Sequence, residues 1–396
     1  MTTTHTEPVA YPFNEAEGLD LDQAYAAARA ADGMIRVKLP YGEPAWLATR
    51  YADARLVLGD RRFSRALANE HDAPRSSAAQ RTSGILAMDP PDHTRLRTLV
   101  AKAFTMHRVE RLRPRVRELA QGLLDEMAAA GPPVDLVENY ALPIPVAVIC
   151  ELLGVPTEDR AQFRVWSDAA LSTSGLTVEE FERNQEELRA YMAGLIAQHR
   201  EQPADDLMTA LIEARDVHDR LSELELVDLC VGILVAGHET TATQIPNFVY
   251  VLLEHPDQLA RLRADPALVA SAVEELLRFV PLGAGASFPR YATEDIEVGG
   301  VLVRAGEPVL VAVGAANRDA LRFGEADELR IDRDGNQHLG FGHGVHHCLG
   351  APLARLELQE ALGALLARFP DLRLAGDIVW KKQLLVRGPR TMPVGW

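Results

Sequence analysis

The chain has few cysteines, few aromatic residues and no long apolar run. Its three cysteines, Cys150, Cys230 and Cys348, are odd in number and far apart. That argues against a disulfide framework and for a reducing compartment. Basic residues are outnumbered: 41 Lys and Arg stand against 57 Asp and Glu, a net charge of −16. Such a balance repels phosphate backbones, so no nucleic-acid partner is expected. The longest apolar run, Leu226–Gly237, is too short to span a bilayer, contains Asp228 and leads into His238 and Glu239. The opening MTTTHTEPVAYPF has no basic start followed by an apolar stretch, so no secretory signal is expected either. What remains is 47% hydrophobic, enough for a large core. With no repeat, low-complexity linker or shift of composition, it reads as one cytoplasmic domain over residues 1–396.

Two β-prone segments, Met34–Leu39 and Ala45–Thr49, flank the turn-forming PYGEP and predict a hairpin. From Asp92 to about Pro281 nearly everything is helical in pattern. RVERLRPRVRELAQGLLDEMAAAG carries apolar residues at three- and four-residue spacing and stops at Gly131, and NQEELRAYMAGLIAQHR behaves in the same way. Ser222 and Glu225 form a capping box, after which one helix continues to about Glu254, ahead of Pro256. At 1.5 Å per residue it is about 50 Å long, enough to cross the whole molecule. A second β-rich patch, Ile296–Ala316, alternates apolar residues with turn glycines, and a last helix spans about Leu349 to Phe369. The fold class expected is mostly α with small β-sheets, built around one long central helix.

The densest chemistry lies in FGHGVHHCLG, Phe341–Gly350. It reads as a glycine-rich loop that delivers Cys348 to the start of the last helix. Gly342, Gly344 and Gly350 permit positive φ and the close approach of a flat ligand. The helix N-terminus favours a thiolate, and loop N–H groups can bond its sulfur. Zinc on His343, His346, His347 and Cys348 would crowd four ligands into six residues, whereas structural zinc sites use two separated pairs. A dinucleotide fingerprint needs glycine where His347 stands. A merely buried cysteine leaves the three glycines unexplained.

Phe341, Gly342, Gly344, His346, Cys348 and Gly350 together resemble the heme-binding loop of the cytochrome P450 monooxygenases. The resemblance implies the cytochrome P450 fold, its long central helix crossing the heme, with Cys348 as axial thiolate on the iron of heme b. It extends over nearly the whole chain, because three further segments follow in the family's order. The first is AGHETT, Ala236–Thr241. Its flanks are apolar on most faces, which puts Glu239 and Thr240 in the interior. Polar groups there are costly without partners, so a function explains them better than a solvent-facing patch. In the family this segment kinks over the heme; Gly237 would leave room for O2, and Glu239 with Thr240 would guide protons to the oxygen site. The second is Glu275-x-x-Arg278, an ion pair on one helix face, which by resemblance joins Arg333 in a structural lock behind the loop. The third is DPPDHTRLR, Asp89–Arg97. Pro90 and Pro91 favour a helix start, and His93 and Arg97 share one face. Alone it would read as an exposed basic turn. The resemblance implies that His93 and Arg97 bind the heme propionates together with Arg290 and His346.

The activity so implied inserts one oxygen atom from O2 into a C–H bond (hydroxylation) or a C=C bond (epoxidation). Electrons would come from a ferredoxin with its NAD(P)H-dependent reductase, steered to a basic patch of Arg95, Arg97 and Arg355 beside Cys348. No membrane partner is expected, and the protein is expected to be a monomer. The rival readings are a peroxide-driven or isomerising heme-thiolate enzyme and a heme-binding sensor without turnover; the Glu239–Thr240 pair counts against both. Ala79–Met88, Ser172–Leu176, Ile233–Thr241, Leu282–Phe288 and Leu384–Val386 are expected to line the pocket. Mostly apolar or small, they suit a bulky, largely hydrophobic small molecule. The overall texture resembles the actinomycete members that tailor macrolides and other polyketides.

Overall fold

The capping box at Ser222 starts the helix that organises the chain. Ser222 Oγ accepts the Glu225 N–H at 3.2 Å, and the Glu225 carboxylate accepts the Ser222 N–H at 2.7 Å. The computed structural model describes residues 7–14, 18–79, 84–156, 159–173, 175–218, 220–283, 285–286 and 288–396. In it this central helix runs unbroken from Glu223 to Glu254, as the sequence predicts. The helices Pro143–Leu153, Val178–Glu201 and Ala351–Arg368 pack against it. Pro143–Leu153 is buried along nearly its whole length, which is what its almost purely apolar sequence requires. Met106–Ala130 ends at Gly131, whose φ of 72° releases the chain from the helix. Among the described residues, no helix is long and apolar enough to cross a membrane.

The predicted hairpin is present, with Ile35 opposite Leu47. It forms part of a six-stranded mixed sheet. Its strand order is Val9–Ala10, Ile35–Lys38, Ala45–Ala48, Pro308–Val311, Arg290–Ala292 and Phe63–Ser64. Side chains alternate across the sheet as strand geometry demands. Leu47 and Leu310 join one apolar cluster, while Ala48, Val309 and Val311 join another; the main core lies among the helices. Gly299 and Gly300 turn the small hairpin Ile296–Val303 with φ of 55° and 80°, the pattern of a tight two-residue turn.

The helix Val269–Phe279 carries the expected lock. Arg278 grips Glu275 at 2.7 and 2.8 Å with both side chains fully buried. Arg333 reaches the same carboxylate at 3.1 Å, as do Asn336 and the backbone N–H of Arg330, at 3.1 and 2.9 Å. The rest of the Arg278 guanidinium donates to the carbonyls of Asn317, Ala326 and Glu328. Glu275→Ala should therefore cost about 3–5 kcal/mol, because it strands a buried guanidinium. Asp332→Ala, which breaks the exposed pair with Arg261, should cost under about 1 kcal/mol. Denaturant unfolding of the two variants checks the contrast.

Candidate active site

Strand register assembles the first part of the site. Phe63 faces Ala292 and Ser64 faces Tyr291 in an antiparallel pair, so the next step sets Arg65 beside Arg290. Both arginines are buried. Like charges at neighbouring cross-strand positions are unfavourable. Burial and its neighbour Arg290 pull Arg65 down to about 9, and burial pulls Arg290 down to about 10. The helix Asp92–Ala101 adds His93 and Arg97 from one face. The His93 ring lies 4.2 Å from that of His346 in the cysteine loop. His346 is driven to about 2 by burial, then by Arg65, His93, Arg290 and Arg97. The four residues singled out as a set in the sequence thus come together, and Arg65 joins them. Asp89 is the acid that faces this cluster, and it is also bound to the backbone N–H of Arg65 and Ala66. His93 Nδ1 and both ring nitrogens of His346 are buried without a hydrogen-bond partner.

The loop Phe341–Gly350 folds back on itself through Cys348 N–H to the Phe341 carbonyl at 2.8 Å. Gly342 and Gly344 have φ of 73° and 72°, and a Cβ on Gly344 would lie 2.4 Å from the Leu58 carbonyl oxygen. Gly350 departs from expectation, since its φ is −80°. What it offers is open space: a Cβ on Gly350 would meet nothing within 4 Å, and one on Gly342 only the His346 carbonyl oxygen at 3.9 Å. Cys348 is accessible, yet protein atoms surround it closely enough for burial to raise its thiol. A side chain both deep and accessible sits in a recess of the fold. Backbone N–H groups of Gly350 and Ala351 and the charges of Arg97 and Arg355 oppose the rise without cancelling it. The helix start therefore favours the thiolate less than burial disfavours it.

The central helix presents the other wall. Gly232, Ala236 and Thr240, four residues apart, are accessible in the middle of a helix buried on its other faces. The Thr240 hydroxyl donates back to the Ala236 carbonyl at 2.9 Å, a bond of the kind that bends helices. Glu239, one residue earlier, points elsewhere: it is 3% exposed and ion-paired with Lys381. For Gly237 the geometry gives a packing reason, because a Cβ there would lie 2.6 Å from Ile149 Cδ1 on Pro143–Leu153. The helix that follows the cysteine loop packs across the central helix, with Glu357 meeting Thr241. The helix that leaves the loop is thus tied to the central helix one residue from Thr240.

A cytochrome P450 family model matches residues 159–375. The chain is 54% identical over 396 residues to the mycinamicin IV hydroxylase/epoxidase of Micromonospora griseorubida, covering 99% of this chain and 100% of that one. It is 50% identical to the nocardicin C N-oxygenase of Nocardia uniformis subsp. tsuyamanensis, over 99% and 100% of the two chains. Its fold matches the crystal structure of HinD with a TM-score of 0.96 at 48% identity, over 99% and 100%. The chain belongs to the cytochrome P450 family.

This P450 is a heme-thiolate monooxygenase and heme b is its cofactor. Its residues fit that group on their own chemistry. Clustered cations and orphaned buried imidazole nitrogens call for an anion such as a carboxylate. The open space at Gly350 admits a flat body, beside a thiol with two backbone donors.

The P450 loop also corrects the expected basic patch. Arg97 bonds the His347 carbonyl at 2.7 Å, and Arg355 stacks 4.6 Å over Phe341 while gripping Glu274. Arg95 turns away to Glu225 and the Arg220 carbonyl. Residues two apart on a helix face opposite ways, so Arg95 and Arg97 cannot share a patch. The exposed Arg55, in contact with His343 at 3.4 Å, lies beside the loop instead.

Three polar residues of the P450 interior escape a sequence reading: Arg65, Lys381 and Glu357. A faint signal exists for the last, an acid within the apolar pattern of LARLELQEALGALL. Glu357 is 1% exposed, and burial pushes it up to about 8. Thr241 offsets the rise only in part, its contact falling short of a hydrogen bond. The folded state keeps this proton between pH 4.5 and about 8, where the unfolded chain releases it. Stability from this group is full below that window and falls as pH rises through it. Glu357→Gln should gain on the natural chain with rising pH, by on the order of a few kcal/mol at the top. Urea midpoints at both ends of the window check the sign.

Proposed function

We propose that this P450 hydroxylates or epoxidises a bulky, largely apolar small molecule of the macrolide or polyketide type. The observation that carries the reading is the open face of the central helix. Gly232, Ala236 and Thr240 offer small apolar surface with one hydroxyl in the middle of the molecule. Two expected lining segments also leave large apolar side chains accessible: Leu86 is 46% exposed and Phe288 47%. Such a wall suits a large apolar ligand held by few polar contacts. The 54% identical relative, which acts on mycinamicin IV, supports the substrate class. The nocardicin C enzyme carries a different substrate at 50% identity, so the choice rests on lining side chains rather than on the scaffold. Cys230 and Cys348 are free thiols, which suits the cytoplasm, and the enzyme acts there as a monomer in this reading.

When bound, heme b supplies the activation of O2 and the transfer of one oxygen atom. In the same reading Cys348 is its thiolate ligand, and His93, Arg97, Arg290, His346 and Arg65 hold its carboxylates. Phe341 stacks under Arg355 and shields the sulfur side of the loop, and Gly350 leaves the ring room. Thr240 Oγ, on the open face, fixes water there, and the Glu239 carboxylate feeds it protons from behind the helix. Positioned proton transfer of this kind contributes roughly 10²–10⁴ in rate. The two residues should fail differently. Thr240→Val keeps side-chain volume, so NADH use continues while hydrogen peroxide replaces product. Glu239→Gln slows NADH use itself. Measuring NADH, peroxide and product with mycinamicin IV decides the matter, and full coupling in Thr240→Val would remove that residue from the relay.

Electrons come from a soluble ferredoxin and its NAD(P)H-dependent reductase, docking on the loop side. Arg55, Arg97 and Arg355 form a local positive patch on a chain of net charge −16, and an acidic partner is steered to such a patch. Arg55→Glu should slow first-electron transfer from an acidic ferredoxin about three- to tenfold at low ionic strength, an effect that shrinks with salt. Arg95→Glu should leave the rate unchanged. Equal slowing in stopped-flow reduction of both variants would move the docking site.

A further inference from the structure

Glu239 does not stand alone behind the central helix. Lys381 Nζ donates to Glu239 Oε1 and, at 2.7 Å, to Thr243 Oγ, and Thr243 itself donates to Glu239 Oε1 at 3.3 Å. All three side chains are buried, with Lys381 only 7% exposed. Lysine is seldom buried this deeply without a reason, since desolvating an ammonium is costly. The pair is also placed where two parts of the site meet. Lys381 follows the strand Val379–Trp380, whose Trp380 ring meets Tyr250 of the central helix at 5.4 Å. The chain then leaves as a strap, residues 381–388. Gln383 has a left-handed φ of 59°, and its carbonyl accepts the Thr173 N–H at 2.7 Å. Leu384 bridges Ser172, and Val386 bridges Gly283. The strap returns to the central helix at Arg387, whose carbonyl accepts the Asn247 side-chain N–H at 2.9 Å. Gly388 lets it come that close, because a Cβ there would lie 2.6 Å from Asn247 and Thr243. One short segment is thus anchored on the relay helix at both ends, and between them lies Leu384–Val386, which the proposed function takes as pocket lining.

We infer that Lys381 is a positioning residue for oxygen activation: it holds Glu239 as a carboxylate behind the helix and ties that hold to the wall the substrate touches. The inference rests on the proposed role of Glu239 as the proton feed. Burial and three neighbouring groups set the charge state of that carboxylate. Burial raises it; Lys381, its neighbour His238 and Arg390 from the strand Pro389–Thr391 lower it and prevail. Arg390 is itself paired with Asp168 at 2.7 Å. His238 is 1% exposed and bonds the Leu234 carbonyl through Nδ1, and burial pulls it below the usual imidazole range while Glu239 opposes that. Of these, Lys381 alone donates to the carboxylate directly. Without it the carboxylate should take up a proton rather than remain as an uncompensated buried charge.

The test is infrared spectroscopy of the resting holoenzyme, free of substrate, at neutral pH. Lys381→Met minus the natural protein should show one new protonated-carboxyl band; the neutral Glu357 is common to both and cancels. The band should vanish in Lys381→Met/Glu239→Gln and be absent from Lys381→Arg. Lys381→Gln, which keeps a donor but no charge, should show it too and serves if the methionine variant does not fold. No new band in either neutral variant, or a band that survives Glu239→Gln, overturns the hold. NADH consumption with mycinamicin IV as probe then reads the consequence. Lys381→Met should lose about tenfold or more, up to the roughly 10²–10⁴ of positioned proton transfer itself, and Lys381→Arg should recover most of it. Unchanged consumption in Lys381→Met beside slowed consumption in Glu239→Gln overturns the role of Lys381. Unchanged consumption in Glu239→Gln fails the relay reading itself, and the positioning role falls with it.

Discussion

A fully buried carboxylate on the helix Val269–Phe279 holds the cysteine loop in place. Glu275 collects Arg278, Arg333, Asn336 and the Arg330 N–H. Arg278 passes the constraint on through the carbonyls of Asn317, Ala326 and Glu328. Asn317 in turn accepts the Leu339 N–H at 2.7 Å, just ahead of Phe341. The adjacent Glu274 holds His338 and Arg355, which brace the two sides of the loop. A loop rich in glycine has no stiffness of its own. Its geometry is borrowed from this network, and so is the placing of Cys348, the proposed thiolate ligand.

Three buried acids in one interior show three solutions to the same cost. Glu275 is neutralised by arginines in bidentate geometry, suited to a permanent structural bond. Glu239 is held by a lysine, a point charge on a flexible stem that gives and takes more easily. Glu357 has no cation and keeps its proton instead. The cations around His346 pose the opposite problem, and in the proposed reading the carboxylates of heme b answer it. Around the cavity, charge is balanced group by group, and each balance differs with the task of the residue.

The separation of roles along the central helix follows from its pitch. Successive residues turn by about 100°, so Glu239 and Thr240 face different compartments although they are neighbours in sequence. One faces the strap at Lys381; the other faces the open interior. The same geometry explains the basic patch. Arg97 reaches the loop because it shares a face with His93, and Arg95 is turned to the start of the central helix, where it reinforces Glu225.

Local pattern was enough to read the capping box at Ser222, the long helix, the hairpin at Ile35–Ala48, the Glu275–Arg278 pair and the cysteine loop. Each depends on residues within a few positions of one another, where backbone geometry alone decides what can meet. Tertiary structure decided the rest. Arg65 matters only because strand register lays it beside Arg290, more than two hundred residues later. Lys381 finds Glu239 across 142 residues, and nothing in KKQLL marks one lysine as buried. Gly350 needs open space rather than a positive φ, and Gly237 makes room for Ile149, distinctions that appear only once the neighbouring chain is in place. The sequence by itself determined the elements and the loop that bears the thiol. Which charges are buried together, and therefore what they do, was set by the long-range packing that closes the chain upon itself.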